Sequence, residues 1–181
     1  MGRIKIGSVH GRFQPFHNGH LDYVVQAFDR ADFVYVGLTQ IFRPLEAEDQ
    51  ARSRETPEAN PLNFWERRLL VDAALESVGV SRERYSITPF PIESPKRLGE
   101  FIPQGSCCFT TIVTDWNEEK ITRLGAQGFT VEVLQTSNPD NIRVTTGTDI
   151  RRLLRLNDPS WARFVPPSVA ELISSEFRDR F

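Results

Sequence analysis

Histidine, lysine, cysteine and methionine are all scarce in this sequence of 181 residues, which has three histidines, three lysines, two cysteines and one methionine. The cysteines, Cys107 and Cys108, are adjacent, so they can form neither a disulfide framework nor a four-ligand zinc site. The sequence has no run of 18 or more apolar residues and no apolar stretch of the secretory kind at its N-terminus. These absences predict a cytoplasmic protein that does not interact with membranes.

The charge is nearly balanced, with 22 basic and 24 acidic residues and a formal net charge of −2. Such a balance gives no electrostatic attraction toward nucleic acid, so we expect small-molecule partners instead. All but three of the basic residues are arginine, which is suited to binding planar carboxylates and phosphates, although a GC-rich genome produces the same bias without a functional reason. The length fits one domain over residues 1–181.

Strand-like and helix-like segments alternate along the chain. Five short apolar segments are predicted to be strands, at residues 3–10, 33–36, 85–92, 109–114 and 129–134. Helices are predicted from residue 21, from Asn63 and over 117–124, 147–156, 161–164 and 167–177. Asn63 and Glu66 form a capping-box pattern, and Trp65, Leu69 and Leu70 are expected to face inward. The alternation predicts an α/β fold with a doubly wound, parallel, five-stranded sheet and C-terminal helices.

All three histidines lie between residues 10 and 20, where the first strand gives way to the first helix. His17 and His20 are three residues apart, so both rings project from one face of the first helical turn. Gly19 permits close approach to the backbone, and Arg12 adds a guanidinium to the positive end of the helix dipole. The group predicts a phosphate-binding site. A zinc site is an alternative, but it would need more ligands than these two histidines. A purely structural role, in which both rings form hydrogen bonds within a tight turn, is the other alternative.

A second helix start combines a cap with unusual charges. Thr146 and Asp149 fit the capping rule, yet Arg151 and Arg152 follow in the first turn, where cations oppose the helix dipole. An anionic ligand in front of the turn would make these cations favourable. We expect Arg151 to bind that anion, and Arg152 and Arg155 to point to solvent.

Two such helix starts supply what nucleotidyl transfer requires. The attacking and leaving groups are phosphates, so the protein contributes mainly positioning and neutralisation of charge on the α-phosphoryl group and on pyrophosphate. Arginine, histidine and Mg²⁺ suit this task. Residues 40–59 are predicted to form a lid, with Arg52 or Arg54 reaching phosphate.

Residues 11–20 resemble the His-x-Gly-His signature of the nucleotidyltransferase superfamily, in the longer form found in archaeal-type nicotinamide-nucleotide adenylyltransferases. Residues 146–151 resemble the second signature of that family, Ser-Gly-Thr-x-Ile-Arg, with threonine in place of serine. Residues 60–62, followed by Glu66 and Arg67, resemble the stretch after the family's nucleotide-side loop, and residues 161–166 resemble its C-terminal segment, so the similarity covers nearly the whole chain.

This resemblance implies a Rossmann-like sheet and transfer of AMP from ATP to nicotinamide or nicotinate mononucleotide, with release of pyrophosphate. It also implies a homo-oligomer and Mg²⁺ held mainly by the nucleotide phosphates, with no metal ligands from the protein. Carried over to this sequence, the catalytic residues are His17, His20, Arg12 and Arg151, and the nucleotide-binding residues are Gly11, Phe13, Gly19, Thr146, Gly147 and Thr148.

Two departures from the family pattern concern the substrates. Residues 114–117 replace a segment that lies near the adenosine in the family, and residues 93–101 lack the tryptophan that the archaeal enzymes use near the pyridine ring. Arg52, Asp115 and Trp116 are candidate substrate-binding residues. A cytidylyltransferase that uses CTP and a phosphorylated alcohol or phosphonate is therefore an alternative, and a non-catalytic nucleotide-binding protein is another.

Overall fold

Five parallel β-strands form one sheet in the order β3-β2-β1-β4-β5. The computed structural model describes residues 2–42, 56–111, 115–134 and 146–181, without the side chains of residues 115–118. The strands are β1 (Ile4–Gly11), β2 (Ala31–Leu38), β3 (Tyr85–Pro89), β4 (Cys107–Thr110) and β5 (Thr130–Val133). The helices are α1 (Asn18–Arg30), α2 (Phe64–Ser77), α3 (Asp115–Gly125), α4 (Gly147–Arg155) and α5 (Pro167–Leu172). The predicted doubly wound, Rossmann-like parallel sheet is confirmed.

The pairing of β1 differs on its two sides. It pairs with β2 along its whole length, from Ile4 opposite Ala31 to Gly11 opposite Leu38. With β4 it pairs only at Gly7 and Ser8. The chain order of the strands reverses between β1 and β4, and open α/β sheets bind ligands in the crevice beyond such a switch point.

Contacts between Cα atoms group the residues into two compact units. The first contains residues 1–11, 22–39 and 81–142 and includes the whole sheet. The second contains residues 12–21, 40–80 and 143–181 and includes both candidate phosphate-binding motifs. The prediction of one domain over residues 1–181 stays a prediction. No helix among the described residues is long and apolar enough to cross a membrane.

Helix α2 confirms its predicted start and corrects its predicted inner face. The Asn63 side chain accepts a hydrogen bond from the Glu66 backbone N–H (2.9 Å), and the Glu66 carboxylate accepts one from the Asn63 N–H (2.8 Å). The prediction that Trp65 faces inward is wrong, because its relative exposure is 57%. Leu70 is buried as predicted, whereas Glu66 and Arg67 are also buried, each with polar partners inside the second unit.

Several predicted boundaries shift for local reasons. Strand β3 ends at Pro89 instead of residue 92, because the Phe90 N–H makes the last bond to β2, at the Leu38 carbonyl (2.9 Å), and the Ile92 N–H turns back to the Phe90 carbonyl (2.8 Å). Strand β4 begins at Cys107, two residues before the predicted start, so both cysteines belong to the sheet. The segment predicted at 161–164 is a 3₁₀ helix, Pro159–Phe164. The helix predicted at 167–177 consists of α5 followed by a short π-helix, Ile173–Phe177.

Gly7 of β1 leaves room for side chains of the two neighbouring strands, Phe109 of β4 and Ala31 of β2. A Cβ atom at this position would lie 2.5 Å from Cε2 of Phe109 and 3.0 Å from the Cβ of Ala31. We expect Gly7→Ala to lower the free energy of unfolding by about 1–3 kcal/mol, since the inserted methyl overpacks a buried contact. Urea denaturation measures this change.

Gly125, at the end of α3, provides the matched control, because a Cβ atom at this position would have open space around it to 4 Å. Gly125→Ala should leave the free energy of unfolding unchanged or raise it by up to about 1 kcal/mol, since alanine favours the helix. Equal losses of stability in the two variants would contradict the packing role of Gly7.

Candidate active site

The loop between β1 and α1 is folded inward around two aromatic residues. Phe13 has a positive φ of 52°, a left-handed conformation that costs a non-glycine residue free energy. Its buried ring meets Phe16 edge-on, with the centroids 5.2 Å apart, and meets His20 in the same way at 4.8 Å. The Gln14–Pro15 peptide bond is cis. The aromatic packing holds the backbone of residues 12–16 in one conformation.

Gln14 and Arg67 fix the same loop through hydrogen bonds. The buried Gln14 side chain donates to the carbonyl of Leu62 (2.8 Å) and accepts from its N–H (3.1 Å). Arg67, which is 1% exposed, donates from Nη1 to the Arg12 carbonyl and from Nη2 to the Gln40 carbonyl, both at 2.9 Å. The sequence did not predict that Gln14 and Arg67 position this loop, although Arg67 lies in a segment that resembles a segment of the family.

His17 forms the N-terminal cap of α1. Its Nδ1 atom accepts a hydrogen bond from the His20 backbone N–H (3.3 Å), and its carbonyl accepts from the N–H groups of His20 and Leu21. An accepting Nδ1 is unprotonated, so the proton of the neutral ring lies on Nε2. A Cβ atom at Gly19 would lie 3.3 Å from Cε1 of His17, so the glycine leaves room for this ring.

His17 and His20 are stacked, with ring centroids 3.5 Å apart. Burial lowers the pKa of His17 to about 4. The pKa of His20 is lowered well below its ordinary value, mainly by burial and further by the nearby His17 and Arg12. Both rings are thus neutral near pH 7. The Nδ1 atom of His20 is buried and has no hydrogen-bond partner among the described residues.

Helix α4 begins with the predicted capping box. The Thr146 hydroxyl accepts from the Asp149 N–H (3.2 Å) and donates to the Asp149 carboxylate (2.7 Å). The carboxylate also accepts from the Thr146 N–H at 3.0 Å. The hydrogen bond from the Thr146 hydroxyl is the largest cause of a lowered pKa of Asp149, and the bond from the Thr146 N–H lowers this pKa further. The cap therefore occupies the Thr146 hydroxyl proton that was expected to face nucleotide.

Arg151 joins the second motif to the first. It is 4% exposed and donates from Nη1 to the Gln14 carbonyl (2.6 Å) and from Nη2 to the Thr148 hydroxyl (3.1 Å). Its Nε atom is buried without a hydrogen-bond partner in the described part of the chain. A Cβ atom at Gly147 would lie 2.8 Å from the same Gln14 oxygen, so only glycine permits this approach.

Positive groups converge around Arg12. Burial lowers the pKa of Arg151 to about 10, and Arg12 and then Arg155 contribute further lowering. Burial also lowers the pKa of Arg67 to about 10, with Arg12 as the second cause. Arg12 likewise acts on His20, and its guanidinium lies 3.5 Å from the Asn60 side-chain oxygen. A polyphosphate bound here would replace mutual repulsion by attraction and favour protonation of the histidines.

No group of three or more histidine, cysteine, aspartate or glutamate side chains in the described ranges could hold a metal ion. The residues present provide N–H donors and cationic groups, which suit phosphate oxygens. A Mg²⁺ ion carried by the phosphates of the nucleotide fits these residues.

The remaining predicted residues have different outcomes. Gly11 is the last residue of β1. Arg152 and Arg155 are exposed, as expected, while Arg151 is buried. Asp115 and Trp116 begin α3, but their side chains lie outside what the structure describes. Arg52 and Arg54, and most of the predicted lid at 40–59, also lie outside the described residues.

Comparison with known proteins identifies the relatives of this chain. Residues 9–152 match the family described as cytidylyltransferase-like. The chain is 38% identical over 170 residues to the phosphonoformate cytidylyltransferase of Streptomyces viridochromogenes, covering 92% of this chain and 89% of that one. It is 31% identical over 170 residues to the nicotinamide-nucleotide adenylyltransferase of Ignicoccus hospitalis, covering 90% and 87% of the two chains.

A solved structure supports the fold. The bifunctional NMN adenylyltransferase/ADP ribose pyrophosphatase from Francisella tularensis superposes with a TM-score of 0.70 at 15% sequence identity, covering 97% of this chain. This chain spans about half of that protein, 52% of its length. With both signature motifs present in sequence and joined in structure, the chain belongs to the cytidylyltransferase-like family and is a nucleotidyltransferase.

Proposed function

We propose that this protein is a cytidylyltransferase that moves CMP from CTP to a phosphonate such as phosphonoformate. The observation that carries this proposal is the 38% identity to phosphonoformate cytidylyltransferase over 92% of the chain. An oxygen of the acceptor phosphonate attacks the α-phosphorus of CTP. The bond from the α-phosphorus to the bridging oxygen breaks, and pyrophosphate leaves with that oxygen.

The chain's own residues act on the charge of the triphosphate. His17, through its Nε2–H, and His20 donate to phosphoryl oxygens whose charge grows as pyrophosphate leaves. Arg12 and Arg151 hold the β- and γ-phosphates, with Arg151 already positioned by the Gln14 carbonyl. We also propose nucleotide contacts for Gly11, Phe13, Gly19, Thr146, Gly147 and Thr148. Mg²⁺ carried by the phosphates would neutralise further charge.

The acceptor region favours a small substrate over a pyridine nucleotide. Residues 93–101 contain no tryptophan that could stack on a pyridine ring. The 3₁₀ helix Pro95–Glu100 in this region buries Leu98 with Phe90 and Ile102 in an apolar cluster. This 3₁₀ helix therefore packs on the apolar core, and the absence of a tryptophan in it supports an acceptor without a pyridine ring.

The test is an acceptor and nucleotide matrix with purified protein and Mg²⁺. We expect pyrophosphate release with CTP and phosphonoformate, and a CMP–phosphonoformate product by ³¹P NMR and mass spectrometry. We expect at least about tenfold lower kcat/KM when ATP replaces CTP. Efficient turnover of ATP with nicotinamide mononucleotide would instead establish AMP transfer, the function of the 31% identical relative.

A binding-only role is distinguished in the same matrix. Calorimetric binding of CTP without pyrophosphate release from any phosphate or phosphonate acceptor would contradict the proposed transfer. The four groups Arg12, His17, His20 and Arg151 argue for transfer, because a nucleotide sensor does not need donors directed at a leaving pyrophosphate.

A further inference from the structure

The remaining histidine, His10, has a buried ring with unused hydrogen-bonding capacity. It is 6% exposed, and neither ring nitrogen has a hydrogen-bond partner among the described residues. The hydroxyl of Ser8, two residues earlier on β1, is also buried and has no partner in that part of the chain. Residues two apart on a strand share a face, so three unpartnered polar atoms lie on one side of β1. Buried polar atoms of this kind need a hydrogen-bond partner.

His10 lies where the sheet opens. The ladder between β1 and β4 stops at Ser8 and Cys108. Beyond it, the Tyr23 hydroxyl accepts from the His10 backbone N–H (3.3 Å) and donates to the Phe109 carbonyl (2.6 Å). The Tyr23 hydroxyl thus bridges β1 and β4 at the carboxyl end of β1, where the described residues of the two strands make no direct backbone hydrogen bonds. This is the switch-point position at which open α/β sheets bind ligands.

The His10 ring is held in one orientation by the residues around it. It stacks on Phe90, with the centroids 4.4 Å apart and an interplanar angle of 1°. Its partner on β2 is Gly37, where a Cβ atom would lie 2.6 Å from the Phe90 ring. The absence of a side chain at Gly37 therefore makes the space in which Phe90 packs against His10. A donor fixed in this way is suited to selecting one ligand group.

The charge near His10 favours an anion. Burial lowers the pKa of His10 well below its ordinary value, and the positive charge of Lys120 on α3 lowers it further. The imidazole is therefore neutral, with one N–H to donate, and an ammonium group lies close enough to act on it. A single negative charge would be stabilised by both groups.

We propose that His10 is a specificity-determining residue that donates a hydrogen bond to the carboxylate of the acceptor, with Lys120 supplying the nearby positive charge. This inference rests on the proposed function, because phosphonoformate carries a carboxylate beside its phosphonate. The phosphonate oxygen reacts with CTP, and the carboxylate distinguishes this acceptor from other phosphonates.

Two other ligand groups fit His10 less well. A cytosine ring is neutral, so it would gain less from the charge of Lys120 than an anion would. The triphosphate already has Arg12, His17, His20 and Arg151 as candidate partners. A small anionic group is the ligand that uses both the neutral donor and the cation.

The test compares His10→Phe with the unmodified protein, using phosphonoformate and methylphosphonate, which lacks the carboxylate. Phenylalanine offers a slightly larger aromatic ring for stacking on Phe90 and removes both ring nitrogens. We expect the KM for phosphonoformate to rise at least about tenfold, while kcat/KM for methylphosphonate and the KM for CTP change less than about twofold. The unfolding temperature should be unchanged or higher, because two unpartnered buried polar atoms are removed.

A second variant, Lys120→Gln, tests the charge without changing the buried ring, and should raise the KM for phosphonoformate alone. An increase in the KM for CTP, equal losses with both acceptors, or unchanged kinetics in His10→Phe would overturn the role of His10. If the unmodified protein does not turn over phosphonoformate with CTP, the proposed function fails, and the acceptor role of His10 fails with it. That failure is seen before any variant is made.

Discussion

Replacing Arg151 with alanine is expected to lower kcat/KM for CTP by at least about 100-fold. The buried guanidinium is held by the Gln14 carbonyl and the Thr148 hydroxyl, and its Nε atom has no partner among the described residues. A cation fixed in this way needs little rearrangement when phosphate binds. Steady-state pyrophosphate release, with acceptor saturating and CTP varied, measures the effect.

Arg152→Ala is the matched control, because it removes the same charge from the next residue of α4 at an exposed position. We expect a change of less than about threefold in kcat/KM. Arg151→Lys separates charge from geometry. Lysine cannot bond the Gln14 carbonyl and Thr148 together as arginine does, so activity should fall at least about tenfold. Equal effects of Arg151→Ala and Arg152→Ala would show that only the overall charge matters.

Replacing His17 with asparagine is expected to lower kcat by at least about 100-fold while the protein keeps its stability. Asparagine is a favoured N-cap residue and can accept the His20 N–H as Nδ1 of His17 does. It cannot place a donor where Nε2–H lies. Single-turnover kinetics at saturating CTP measure the chemical step, and thermal denaturation measures stability.

Two further variants complete the test of His17. His17→Ala removes both the cap and the donor, so it should lose activity to the same extent and also lower the free energy of unfolding by about 1 kcal/mol. Asp22→Asn changes an exposed residue of the same helix and should leave kcat within about twofold. If His17→Asn retains normal turnover, then His17 serves only as a cap.

The main features of the fold could be predicted because they depend on local patterns. Apolar runs marked the strands, and the capping boxes at Asn63 and Thr146 marked two helix starts correctly. Trp65 was misplaced because hydrophobic periodicity assumes that polar residues face outward. Arg67 is buried instead, since it donates to backbone carbonyls that are distant in sequence, and no local pattern encodes such partners.

The candidate site was predictable only in part for the same reason. The clustering of histidines and the cations at the start of α4 pointed to His17, His20 and Arg151. The link between the motifs could not be predicted, because it depends on the Gln14 carbonyl, a backbone atom that any residue would carry. His10 was grouped with the other histidines by sequence distance, whereas its stacking on Phe90 depends on the empty position at Gly37.

The concentration of guanidinium groups around Arg12 also bears on the stability of the ligand-free protein. Like charges held together by folding weaken the ligand-free state, and a bound polyphosphate removes that repulsion. Any ligand that binds only the native state shifts the unfolding equilibrium toward it. Added nucleoside triphosphate should therefore raise the resistance of the purified protein to proteolysis.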